Sequence, residues 1–144
     1  MKRAILVALG IGAIVSSAAA FSIGAGDGGS LTQDEYVAKL STIAASRAAR
    51  LSGCDSMAAP ARDFCRVEAE GDQAVGLADA EAAYRRTRQA SRAAQRARIE
   101  ARYQSDRTRC ATLGGLKRDN CMVQVHASRG RALLDAAAPY EVRS

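Results

Sequence analysis

The chain of 144 residues has no tryptophan, one histidine, two prolines and two phenylalanines, and aromatic residues make up 4% of it. So few aromatics leave nothing on which bases would stack, and no recognised DNA or RNA module is visible, so a nucleic-acid partner is not expected. The single histidine, His126, rules out a histidine cluster for a metal or cofactor and supplies no base paired with a nucleophile. Carboxylate pairs such as Glu68 and Asp72 stand four residues apart on a predicted helix, the spacing of a solvated face rather than of a general acid and base. No catalytic constellation and no cofactor motif is present, and the expectation is a non-enzyme without cofactor or metal. Large apolar residues are also missing between Arg85 and Arg98. Much of the 48% hydrophobic fraction is alanine, which buries little area, so the predicted core is thin.

Residues 1–20 read as a secretory signal peptide. Lys2 and Arg3 form a positive start, Ala4 to Val15 is an apolar run too short for a stable membrane span, and Ala18 and Ala20 fit a small-x-small cleavage site. Cleavage there leaves 124 residues, enough for one domain, and lowers the net charge from +6 to +4. Residues 21–30 form a Gly-rich flexible leader, and 139–144 a tail. The expected location is therefore periplasmic or secreted. Arginine far outnumbers lysine, 18 to 3, a bias that a GC-rich genome would also produce.

Four cysteines, Cys54, Cys65, Cys110 and Cys121, form two Cys-x10-Cys pairs. An even count behind a signal peptide argues for disulfides in an oxidising compartment. Neither pair has the spacing of a zinc knuckle, a CxxC redox motif or a haem attachment. The pairs are part of a larger duplication: displaced by 56 residues, the sequence matches itself at ten of the 31 positions from Cys54 to Tyr84. Arg62-Asp63-Phe64-Cys65 falls on Arg118-Asp119-Asn120-Cys121, Val67 on Val123, Leu77 on Leu133 and Asp79-Ala80 on Asp135-Ala136.

The register from Cys54 through Pro60, Arg62, Asp63 and Cys65 to Glu68-Ala69, with its second copy carrying Leu113, Gly115, Arg118 and Asp119, resembles a group of uncharacterised Ala-rich secreted proteins of proteobacteria. Their repeats read roughly Cys-x-x-Leu-x-Gly-Asn-Ala-Lys-Asp-x-Cys-x-x-Glu-Ala. The resemblance covers about residues 50–138, and such proteins are loosely grouped as cell-envelope or TolA-like. This chain departs in having arginine for lysine, Pro60 and Leu116 at positions of Asn or Ala, and Gly71 and Gly76 inside the following helix.

Three helices are predicted. Thr32 and Glu35 make a capping box, and Val37, Leu40, Ile43, Ala44 and Leu51 recur at helical spacing to about Ser56. After a turn at Ala58 to Pro60, a second helix is expected from about Ala61 to Ala111, about 75 Å long if unbroken, with a bend near Gly71 and Gly76. Leu113-Gly114-Gly115 forms the next turn, and a third helix runs from about Leu116 to Ala138, where Pro139 ends it. The fold class is all-α: elongated antiparallel hairpins sharing one long central helix, with two disulfides. Three connectivities are open; Cys54–Cys65 and Cys110–Cys121 would each close a hairpin neck, while crossed pairings resemble twin Cys-x9-Cys proteins.

The least neutral stretch, Arg85 to Arg109, holds nine arginines against Glu100 and Asp106. Arg88, Arg92 and Arg96 are spaced i, i+4, i+8, so they share one helix face and repel one another. With Arg85 they are the candidate anion- or partner-binding residues. An anionic membrane surface or an envelope protein would offset the repulsion. On the opposite face Ala90, Ala94, Ala97 and Ala101 form a narrow seam, expected to pack the third helix or a second subunit of a homo-oligomer. The functional expectation is non-catalytic binding or structural work in the cell envelope; the alternative is a periplasmic chaperone or stress protein.

Overall fold

The computed structural model describes residues 30–138; the signal-peptide segment, the leader up to residue 29 and the tail lie outside them. Those residues form four helices: α1 (Gln33–Asp55), α2 (Ala61–Arg85), α3 (Arg88–Ala111) and α4 (Gly115–Ala137).

The start of α1 is the predicted capping box. The Thr32 hydroxyl accepts from the Glu35 N–H at 3.3 Å, and the Thr32 N–H donates to the Glu35 carboxylate at 2.8 Å. At the Gly-Gly turn, Gly115 adopts φ +52°, which an L side chain rarely takes, and α4 departs from there. Disulfides join Cys54 to Cys65 and Cys110 to Cys121, so each staples the neck of one hairpin. Paired cysteines of this kind belong to an oxidising, extracytoplasmic setting. No helix among the described residues is long and apolar enough to cross a membrane.

The expected central helix is two helices. Arg86 takes a left-handed conformation (φ 51°, ψ 35°) and ends α2; Thr87 then caps α3, its hydroxyl accepting from the Ala90 N–H at 3.1 Å. Chain direction reverses there, not at Gly71 or Gly76. The physical reason is burial. A straight helix would leave its alanines in water, whereas folding α3 back on α2 helps to bury Ala69, Ala80, Ala90 and Ala94. Gly71 makes the approach close: a Cβ there would stand 3.1 Å from the Cβ of Ala101. Ala90, Ala94 and Ala101 of the expected seam thus pack within the chain on the α2 side, while Ala97 turns toward the last helix.

Packing follows chain order. Helix α1 touches α2 alone, α4 touches α3 alone, and only sequential neighbours meet. The result is an open antiparallel layer rather than a closed four-helix bundle. Its buried residues, among those described, are two half-cystines and four alanines, nothing larger, so the predicted thin core is found. Gly76 receives Ile43, whose atoms would lie 3.3 Å from an added Cβ. At the end of the first hairpin away from its disulfide, the rings of Tyr36 and Tyr84 stack at 4.6 Å. There the Tyr36 hydroxyl donates to Glu81 at 2.7 Å and the Tyr84 hydroxyl to Gln33 at 2.8 Å. Both disulfides lie at one end of the layer; the Arg86–Thr87 connection lies at the other.

Candidate functional site

Helical spacing on α3 sends its arginines to different neighbours. Arg98 reaches across to Asp79 of α2 at 2.6 Å, and Arg109 to Glu68 of α2 at 3.8 Å, with its guanidinium 4.8 Å from the centre of the Phe64 ring. Arg102 pairs along its own helix with Asp106 at 3.7 Å. These cations are neutralised in the fold.

Arg88, Arg92 and Arg96 are exposed and form no ion pair among the described residues. They line a groove of about 900 Å³ between α3 and α4, floored by Ala93 and Ala97 and closed on the α4 side by Arg129 and Leu133. The one acid lining it is Glu100. That carboxylate is already engaged: it accepts from Arg129 at 2.8 Å and from Gln104 at 3.1 Å. Arg129 is further held over the Tyr103 ring at 4.9 Å. The groove therefore pairs three uncompensated guanidinium groups with one compensated pair, on a rigid helix-to-helix scaffold. Guanidinium groups so arranged suit bidentate contact with phosphate or carboxylate oxygens.

Arg85 is not part of this groove. It ends α2 and pairs with Glu81, whose carboxyl is held below its ordinary range, first by the Tyr36 hydroxyl and then by Arg85. Three of the four candidate arginines are thus brought together. Nothing in the sequence marks Arg129 and Leu133 of α4 as groove residues, because the face that α4 turns to α3 is set by the hairpin. Arg107 also has no ion pair among the described residues, and it stands eleven residues, three helical turns, beyond Arg96 on the same face.

His126 is exposed, with its Nδ1 3.5 Å from the Tyr103 hydroxyl and the two rings tilted at 5.5 Å. Among the described residues no His, Cys, Asp and Glu side chains cluster as metal ligands would. Comparison with protein-family models, curated proteins and solved structures finds no match to this chain.

Proposed function

We propose that the protein is a non-catalytic, exported helical protein that binds an anionic component of the cell envelope through the α3–α4 groove. The observation that carries this reading is the uncompensated row Arg88–Arg92–Arg96, in a chain whose other α3 arginines mostly have acidic partners. Three cations on adjacent turns repel one another, and a phosphate-bearing surface removes that cost. Export rests on the signal-peptide pattern of residues 1–20 and on the paired cysteines. A periplasmic or secreted location follows from the same features.

The test is a salt titration of binding to vesicles that contain lipopolysaccharide. Binding should weaken steeply with salt. Replacing Arg88, Arg92 and Arg96 by Gln should lower affinity on the order of a hundredfold, at about 1 kcal/mol per basic residue near an anionic surface, with helicity unchanged by circular dichroism. Equal binding by wild type and variant would defeat the proposal.

A second reading, a chaperone that holds unfolded clients, is favoured by one feature: Leu116, Val123 and Leu134 on α4 are 80%, 68% and 73% exposed. It predicts suppression of client aggregation that salt does not diminish.

A further inference from the structure

The 56-residue duplication extends to the architecture. Displaced by that length, α1 falls on α3 and α2 on α4, so the chain is two copies of one stapled hairpin. Contacts inside the hairpins correspond as well: Ile43 lies on Gly76 in the first, and the matching Ile99 and Ala132 line one pocket in the second. The two hairpins are joined by a single interface, in which α2 of the first packs on α3 of the second.

Each half of that interface has a counterpart that no other described residue covers. On α2 the residues meeting α3 include Phe64, Glu68, Gly71 and Asp79; their counterparts on α4 are Asn120, Gln124, Ala127 and Asp135, all exposed. On α3 the buried or contacting residues include Ala94, Arg98 and Ala101; their counterparts on α1 are Ala38, Thr42 and Ala45, again all exposed. Helix α4 thus carries large apolar residues on two sides. One side packs α3, and the other shows Leu116, Val123 and Leu134 to water. Repeat architectures need terminal units with a polar outer face to stay soluble, and here three large apolar side chains stand bare among Asn120, Gln124 and Asp135.

We propose that a second copy of this chain covers the free face of α4 with its own α1, repeating between molecules the α2–α3 packing found within one. The two helices are 23 residues each, about 35 Å of contact length, as long as the internal interface they would copy. Carrying the internal register across places Asp135 opposite Thr42, with the exposed Lys39 one turn away on the same face, so charges complement at that point. The contact is heterologous: each molecule offers a different surface, and addition continues into a ring or a filament. A membrane is the poorer occupant, because Ala127, Gly130 and Asn120 in mid-stripe give lipid little apolar area yet admit a facing helix closely.

Sedimentation of the oxidised full chain tests this, with Ala45→Glu and Ala127→Glu as edge-blocking variants. Both positions are exposed and glutamate favours helix, so circular dichroism should be unchanged. Wild type should grow in mass with concentration. Each variant alone should remain a monomer, and an equimolar mixture should give a one-to-one dimer, joined by the intact α4 of one variant and the intact α1 of the other. Asp135→Lys should weaken wild-type assembly at least several-fold, with recovery in Asp135→Lys/Lys39→Asp. A wild type that stays monomeric up to millimolar concentration overturns the proposal. So does an Ala45→Glu variant that dimerises by itself, which would mark α4 pairing with α4. So does a mixture of the two variants that stays monomeric.

Discussion

Gly71 and Gly130 both lie inside long helices, yet their surroundings differ. An added Cβ on Gly71 meets Ala101 at 3.1 Å, while one on Gly130 meets nothing within 4 Å. Gly130→Ala should therefore stabilise the fold by about 1 kcal/mol through helix propensity alone. Gly71→Ala gains the same propensity but must push α3 away, and should fall about 1–3 kcal/mol below Gly130→Ala. Denaturant unfolding of the two variants measures that difference directly. The Tyr36–Glu81 contact gives a second expectation. Glu81 titrates below the ordinary carboxylate range, chiefly because the Tyr36 hydroxyl donates to it, and Tyr36 titrates above the ordinary phenol range for the same reason. The contribution is complete between those ranges. It is lost as acid passes through the lowered value of Glu81 and as base passes through the raised value of Tyr36. Glu35, lowered by the Thr32 backbone N–H and hydroxyl, adds to the acid-side loss. Thermal melts across pH should show both limbs, and Tyr36→Phe should remove the alkaline one.

At the scale of elements, what the sequence makes visible depends on which residues mark a boundary. Helix α1 begins at a capping box and α4 follows a Gly-Gly turn, and these local signals mark both starts to within a residue. The boundary between α2 and α3 carries neither glycine nor proline. Its left-handed residue is Arg86, and the one local mark is Thr87, a cap without an acid three residues on. Local propensity across Arg85 to Arg88 favours helix, and only the long-range packing of Ala69, Ala80, Ala90 and Ala94 selects the reversal. The duplication held that information, since two copies of a hairpin need a turn between them. The staples carry much of the stability of so thin a core. Each spans 11 residues of sequence, and replacing one pair by serine should cost about 3 kcal/mol, read from urea unfolding.

At the scale of the molecule, the row Arg88–Arg92–Arg96 followed from helical spacing alone, but the groove did not. The wall of Arg129 and Leu133 exists because the second disulfide and the Gly-Gly turn fix which side of α4 meets α3. Arg85 stands apart for another reason, because the left-handed Arg86 ends α2 there and reverses the chain before Arg88. A layer in which only neighbours touch also leaves each edge helix, α1 and α4, with one flank that no other described helix covers.

Residues 30 and 138, where the described chain begins and ends, lie with the Arg86–Thr87 connection at the end of the layer opposite the disulfides. Tension applied between those points would open the layer like a zip rather than shear it, breaking the Tyr36 and Tyr84 contacts first and advancing one turn at a time. The peeling halts at each bridge. Eleven residues of sequence stay out of the extended line behind each of them, roughly 30 Å of slack apiece that only a reductant would release.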